Sequence, residues 1–297
     1  MDKLTLKSPA KINLFLEVLR KREDGYHDIV SLIQAVDLCD ELILQKRKKG
    51  VMISCDHPDC PTDESNLTFK AASMLLEEEK INEGVSIHIM KRIPISSGLG
   101  GGSSNAAATL KGINQLFELE LPDKKLHDLA SRIGSDVPFF LYSGQALVKG
   151  RGEEIGPINM YRDYWLVLVC PHLKVSTRWA YQNVKISLTK KKKEVNLLSL
   201  ENGLWFFKVL PGFRNDLEEV VSKRYPVIKK IKETLENSGA LKSSMSGSGP
   251  TVYGVFDRKP QAEEVVEKLL RGDWSAESRG QIFLTQPIPG NIQVLQD

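Results

Sequence analysis

The stretch Pro94-Ile-Ser-Ser-Gly-Leu-Gly-Gly-Gly-Ser-Ser-Asn-Ala-Ala-Ala limits what this chain can fold into more than any other part of it. Before it, Val85, Ile87 and Ile89 alternate with Ser86, His88 and Met90, the period of a half-buried strand with His88 on its polar face. After it, Ala106, Ala107, Leu110 and Ile113 repeat on one face of a helix. The strand must therefore pass into the helix through Gly98, Gly100, Gly101 and Gly102, where the backbone can reach positive φ and approach a ligand closely. Ser103 or Ser104 is placed to cap the helix. The unpaired N–H groups of the first turn then point into the loop, at the positive end of the helix dipole. That arrangement binds anions, phosphate above all. No Gly-Lys-Ser/Thr follows, so the loop is not a Walker A motif. Nor do the surrounding strands continue in the βαβ order of a dinucleotide-binding fold.

The 297 residues suffice for one or two domains, and we place a boundary near residue 160, giving units 1–160 and 161–297. Apolar alternation predicts strands over 3–7, 12–19, 29–46, 51–55, 145–149, 164–170, 251–256 and 281–285. Helical spacing predicts helices starting near Asn66 and over 123–132, 176–183, 195–208, 215–223, 226–237 and 260–270. A second Gly/Ser loop covers Ser243-Ser-Met-Ser-Gly-Ser-Gly-Pro250.

Composition excludes several classes. No apolar run reaches the ~18–20 residues that span a bilayer, and the N-terminus lacks a signal-peptide or transit-peptide pattern. We expect a cytoplasmic protein without a membrane partner. The 41 basic and 38 acidic residues are too balanced to argue for nucleic-acid binding on their own, and no nucleic-acid partner is expected. The basic runs Lys46-Arg47-Lys48-Lys49 and Lys190–Lys193 read as solvated loops. Four cysteines are too few for a disulfide framework. Cys55, His57 and Cys60 lack a second ligand pair at zinc-site spacing.

Two further features suit phosphoryl transfer. Lys11 and Asn13 alternate with Ala10, Ile12 and Leu14, so both share one face of a strand. Asp136, in Gly134-Ser-Asp-Val-Pro-Phe-Phe140, presses a carboxylate against a bulky apolar run. Either feature alone reads as an ordinary surface lysine or a helix cap; beside a phosphate loop they gain chemical meaning.

Three separated segments together resemble the signature motifs of the GHMP small-molecule kinases: Ser8-Pro-Ala-Lys-Ile-Asn-Leu14, Pro94-x3-Gly-Leu-Gly-Gly-Gly-Ser-Ser104 and Met245-Ser-Gly-Ser-Gly-Pro250. Asp24-Gly-Tyr-His-Asp28, Gly134–Phe140, Gly150-Arg-Gly-Glu153 and Asn215-Asp-Leu-Glu218 resemble one branch, whose acceptor is a cytidine-diphosphate-linked methylerythritol of the non-mevalonate isoprenoid route. The match runs from residue 3 to about 285. It implies a two-domain α+β fold with ATP and acceptor in the cleft between domains, and phosphorylation of the acceptor's 2-hydroxyl.

By position, the resemblance implies Asp136 as catalytic base and Lys11 as its partner. Asn13, Tyr26 and His27 fall at acceptor positions, with Tyr181 closing the base pocket (Trp179 second) and Gly247 and Ser248 lining the acceptor side. Asn66, Pro94, Gly98, Leu99, Gly100, Gly101, Gly102, Ser103, Ser104 and Asn105 fall at ATP positions. Mg²⁺ is expected with ATP; no residue is assigned as its ligand, Ser104 being the nearest candidate. Asn215-Asp216 reads as a helix cap. The chain is expected to work on this small molecule as a monomer or weak homodimer. Two other readings compete. A mevalonate- or homoserine-type kinase would not need Tyr26-His27, and a non-catalytic nucleotide-binding regulator would not need both Lys11 and Asp136.

Overall fold

In the computed structural model the chain is described over residues 2–142, 144–186, 203–272, 280–290 and 292–295. The run Lys190–Lys193, and the part of the helix predicted over 195–208 that precedes residue 203, lie outside these residues.

Two sheets organise the fold. The first contains β1 (Lys3–Lys21), β2 (His27–Arg47), β3 (Val51–Cys55), β4 (Gly84–Met90), β5 (Gln145–Lys149), β6 (Glu154–Pro157) and β11 (Gln293–Leu295). The second contains β7 (Trp165–Pro171), β8 (Lys242–Met245), β9 (Val252–Phe256) and β10 (Gly280–Thr285), in the order β10-β7-β9-β8. The helices are α1 (Leu67–Glu78), α2 (Gly101–Leu116), α3 (Asp123–Ile133), α4 (Thr177–Asn183), α5 (Gly203–Val209), α6 (Glu218–Arg224), α7 (Pro226–Asn237) and α8 (Lys259–Arg271).

β1 and β2 are long antiparallel strands; β2 is close to the strand expected over 29–46, whereas β1 joins the two shorter strands expected over 3–7 and 12–19. Polar and proline positions inside them are absorbed at irregularities between Pro9 and Ala10, Asn13 and Phe15, and Val18 and Arg20. β2 is long enough to hold β5 along residues 31–34 and β4 along 41–47 on its far edge.

The irregularity at Pro9/Ala10 also decides where side chains go. Leu4 and Leu6 pack in the core under α1 and α2, together with Leu42, Leu44, Ile87, Ala107 and Leu110. Gly112 permits this closeness, since a Cβ there would sit 2.6 Å from Leu44 Cδ2 and 2.9 Å from Leu6 Cδ1. Beyond the irregularity, Ala10, Ile12 and Leu14 join a second core with Leu166, Leu168, Tyr253 and Val255 from the other sheet. β1 is thus the wall shared by both halves. A third core packs α6, α7 and α8 on the second sheet through Ile228, Ile231, Leu235, Val252 and Val265.

Two local expectations are corrected, and one strand pairing was not foreseen. Residues 242–245 form β8 although the segment reads as loop; Ser243 and Ser244 are buried there, and β9 supplies the backbone pairing. α2 begins at Gly101 with Gly100 as its cap residue at φ 72°, without a side-chain bond, so neither Ser103 nor Ser104 caps it. The end of the chain returns as β11 beside β1, a pairing that short apolar runs do not signal. Among the described residues no helix is long and apolar enough to cross a membrane.

Candidate active site

α2 opens with an intrahelical bond from Ser104 N–H to Gly100 O at 2.9 Å. The N–H groups of Gly101, Gly102 and Ser103 precede it and have no carbonyl one turn back to meet. The loop before the helix is wedged by Leu99, which is fully buried in the second core. Lys11 N–H donates to Leu99 O at 2.9 Å, and Ser97 Oγ donates to Pro94 O at 2.7 Å. A buried cation that the motifs did not reveal lies beneath: Lys91 Nζ bonds Asp40 Oδ2 (2.7 Å) and Ile93 O (2.5 Å), and would be 3.0 Å from a Cβ on Gly101.

Gly102 differs from its neighbours. Its φ is not in the left-handed range, and the nearest atom to a Cβ there is Leu67 Cδ1 at 3.9 Å. The protein itself does not require glycine at this place, so close approach of a ligand explains it best. Gly102→Val is therefore expected to leave the melting temperature unchanged or slightly raised, because valine is a better helix former than glycine. It is also expected to raise KM for ATP by about tenfold or more, by displacing phosphate from the helix N-terminus. Steady-state kinetics beside a thermal melt checks both; an unchanged KM would mean that phosphate does not lie over this residue.

Ser104 and Asn105 face the protein. Ser8 Oγ donates to Ser104 Oγ (2.6 Å), with Asn105 Oδ1 2.9 Å away, and both residues are buried. Their side chains tie α2 to β1. Asn66 caps α1: its Oδ1 accepts from Thr68 N–H at 2.9 Å and its Nδ2 donates to Pro61 O at 2.6 Å.

Across the loop stand Lys11 and Asp136. Lys11 is 4% exposed; its Nζ donates to Asn13 Oδ1 at 2.6 Å and lies 3.4 Å from Asp136 Oδ2. The Asp136 side chain is 43% exposed, open to the cleft. Apolar neighbours anchor its turn, since Val137, Phe139 and Phe140 are buried and the two rings meet edge to face at 5.0 Å. Asp136 is not a helix cap; the short 3₁₀ turn Pro138–Leu141 starts from Val137 without a side-chain bond. Asn13 Nδ2 donates to Ser31 Oγ at 2.8 Å, and Ser31 donates onward to Phe15 O at 2.7 Å. Lys11 and Asn13 are thus fixed from below, a role for Ser31 that the sequence did not suggest.

The second glycine loop closes over this pair. A Cβ on Gly247 would be 3.1 Å from Asn13 Oδ1 and 3.4 Å from Lys11 Nζ. Ser246 Oγ donates to Gly98 O at 3.2 Å, and Thr251 N–H donates to Ser97 O at 3.1 Å, so the two glycine loops interlock. Ser248 Oγ shares a hydrogen bond with Thr177 Oγ1 at 2.9 Å, at the start of α4. Asn215 and Asp216 are not the cap of α6 that the sequence suggested. Asn215 Nδ2 donates to both Met245 O and Gly247 O at 2.7 Å, its Oδ1 accepts from Leu217 N–H at 2.9 Å, and Asp216 Oδ2 accepts from Val18 N–H at 3.0 Å. The pair fastens the second loop to β1, while α6 has Leu217 as its cap residue without a side-chain bond.

The aromatic residues divide unequally. His27 is buried, with its ring 5.4 Å from the ring of Tyr181 on α4. Trp179, the second choice, turns away to meet Tyr225 edge to face, with Arg224 over its ring. Tyr26 is 53% exposed, and the Arg151 guanidinium lies over its ring at 5.0 Å. Burial, with the Asp136 charge adding to it, raises the Tyr181 phenol.

Burial, with the Lys21 charge adding to it, holds the His27 imidazole below its ordinary value. It is therefore neutral near pH 7 and able both to donate and to accept. The folded form resists a proton that the unfolded chain accepts once pH drops below about 6.5. Stability from this site is accordingly full above that pH and is lost as pH falls through the lower, folded value. Denaturant melts at pH 7.5, 6 and 5 should show a decline that is shallower in His27→Gln; equal slopes would contradict the shift.

The remaining thiols and basic groups lie elsewhere. All four cysteines are free, and His88 bonds Ser54 Oγ at 2.9 Å on the first sheet. Lys46 sits over the Phe117 ring at 5.0 Å.

Comparison with known proteins adds family to geometry. The GHMP kinases N terminal domain matches residues 66–144, and the GHMP kinases C terminal domain matches residues 199–275. A 4-diphosphocytidyl-2-C-methyl-D-erythritol kinase of Acetivibrio thermocellus is 40% identical over 291 residues, 97% of this chain and 100% of that protein. The enzyme of that name from Geobacter sulfurreducens is 42% identical over 277 residues, 93% of this chain and 98% of that one. The chain belongs to the 4-diphosphocytidyl-2-C-methyl-D-erythritol kinases. A crystal structure of a kinase of this family superposes with a TM-score of 0.77 at 30% identity, covering 96% of this chain and 100% of that one. A homoserine kinase from Cytophaga hutchinsonii gives a TM-score of 0.75 at 22% identity, which shows the shared fold alone. The chain is accordingly a GHMP small-molecule kinase, α+β in class.

Proposed function

We propose that the chain transfers the γ-phosphoryl group of ATP to the 2-hydroxyl of 4-diphosphocytidyl-2-C-methyl-D-erythritol, in the non-mevalonate isoprenoid route. The observation that carries this reading is the meeting of Lys11 Nζ and Asp136 Oδ2 at 3.4 Å, with the N-terminus of α2 beside Lys11 on one side and Gly247 on the other. Kinship at 40–42% identity over more than nine-tenths of the chain supports the choice of acceptor.

In this mechanism the phosphates of ATP lie on the free N–H groups of α2, where the helix dipole favours negative charge. The acceptor hydroxyl lies by Asp136. The new O–P bond forms as the bond from the γ-phosphorus to the bridging oxygen of ADP breaks, and the hydroxyl proton passes to Asp136 and then to water. Phosphoryl transfer depends mainly on alignment and charge neutralisation, so a buried ammonium at this place contributes through its fixed position. ATP is taken as its magnesium complex, which neutralises phosphate charge. Ser104 is fully buried against Ser8, so phosphate and water oxygens would supply the ion's ligands.

Tyr26, His27 and Tyr181 are assigned to cytosine: an aromatic face stacks on the base, and the neutral imidazole hydrogen-bonds its edge. We also keep the division into lobes near residue 160, a cytoplasmic location, and a monomer or weak homodimer without nucleic-acid or membrane partners.

The test is ADP release with ATP, Mg²⁺ and each candidate acceptor. Turnover with the cytidine-linked acceptor, and none with mevalonate or homoserine, is the expected result. Turnover with mevalonate or homoserine instead would overturn the assignment. ATP binding without turnover of any of them would favour the regulator.

A further inference from the structure

The segment Gly150-Arg-Gly-Glu153 belongs to the motifs that carry the family resemblance, yet the proposed mechanism leaves it without a task. Its geometry is unusual for an ordinary turn. Gly150 and Gly152 take φ of 67° and 121°. Gly150 O accepts from Ile29 N–H at 2.8 Å, which fixes the turn to the strand carrying His27. On its other side, a Cβ on Gly152 would be 3.3 Å from both Cβ and O of Ser135, the residue before Asp136. Arg151 is therefore flanked by the two parts of the acceptor site that must cooperate. Its guanidinium rests over Tyr26.

The charges around it are largely committed. Glu153 accepts from the Arg151 backbone N–H at 2.7 Å and from Nε at 3.4 Å. Asp24 is engaged by Arg22, and Asp28 by Arg20 and Arg22. Among the described residues, the terminal nitrogens of Arg151 have no hydrogen-bond partner, and its side chain is 31% exposed. A planar guanidinium with two free nitrogens is the group best matched to phosphate oxygens. The acceptor presents two phosphates between its base and its reacting alcohol. Lys11, a second cation beside the Asp136 turn, is already held by Asn13 and Asp136.

We propose that Arg151 is a substrate-binding residue whose guanidinium holds the diphosphate of the acceptor between the Tyr26 ring and the Asp136 turn. The proposal rests on the acceptor assigned above and deepens it. Stacking on Tyr26 holds the side chain near its working position before substrate arrives, which lowers the entropy lost on binding.

The experiment combines kinetics with calorimetry on wild type, Arg151→Ala and Arg151→Lys. Arg151→Ala is expected to raise KM for the acceptor by about tenfold or more, with KM for ATP unchanged, and Arg151→Lys to recover part of the loss. Wild type is expected to bind CDP about tenfold more tightly than cytidine, a preference that Arg151→Ala abolishes. Arg151→Ala with an unchanged acceptor KM and an unchanged preference for CDP would overturn the proposal. A wild type that prefers CDP through Arg151 but turns over no cytidine-linked alcohol would sustain the diphosphate site and sink the assigned reaction. Thermal melts of the variants separate both results from misfolding.

Discussion

Asp136→Asn lowers kcat by about 10²–10⁴-fold, the range for loss of a general base, while KM for ATP stays near the wild-type value. At about 1.4 kcal/mol per decade this is about 3–6 kcal/mol of transition-state stabilisation. Two observations make the variant informative. Val137, Phe139 and Phe140 bury the turn independently of the carboxylate, so the backbone keeps its place. Asparagine fills the same volume and can still meet Lys11, but it cannot accept the hydroxyl proton. Steady-state ADP release with both substrates varied is the measurement. A loss confined to KM would turn Asp136 into a binding group; no loss would remove it from the reaction.

Gly98→Ala acts at the opposite face of the cleft, and it acts on folding as well as activity. At φ 81° an alanine is strained, and its Cβ would lie 2.7 Å from two carbonyl oxygens, those of Ser246 and Gly249. Both belong to backbone, so neither can rotate aside. The left-handed conformation costs of order 1–3 kcal/mol, and forced overpacking costs about as much again. A total near 3–5 kcal/mol is a large share of the ~5–15 kcal/mol that holds a protein folded. Relief would come by parting the two glycine loops, which breaks the contacts of Ser246 with Gly98 and of Thr251 with Ser97. We expect a lower denaturant midpoint and, where the variant is still folded, KM raised for both substrates. A variant with wild-type stability would show that the loops do not interlock at this point in solution.

Asp136 and Gly98 both lie in segments that local spacing marks out, and the placement of those segments was legible in the sequence; the role of base for Asp136 came from the family resemblance. Lys11 and Asn13 do share a side of β1, and the glycine loop does turn a strand into α2. Helices with one apolar face, such as α7 and α8, were legible for the same reason. What escaped depends on distant partners. β8 is a strand because β9 lies beside it, not because Lys-Ser-Ser-Met favours one. The cap of α2 is a backbone conformation at Gly100, which made the serines look like better candidates than they are. Asn215 looked like a cap because Asn-Asp before a helix usually is one; the carbonyls that it holds are 30 and 32 positions away. Ser31 and Thr177 carry no motif at all, and only folding brings them to Asn13 and Ser248. Pairing of His27 with Tyr181 across the two halves was legible only through family resemblance.

Transfer of a phosphoryl group from ATP to a cytidine-diphosphate-linked alcohol, in the cleft between the two glycine loops, can be read from phosphorus NMR of the reaction mixture. One new phosphomonoester resonance is expected per ADP formed, with the acceptor's diphosphate signals retained, and no new resonance with Asp136→Asn on the same time scale. ADP formation without a new monoester, or an equal yield from Asp136→Asn, would contradict this assignment of the cleft and of its base.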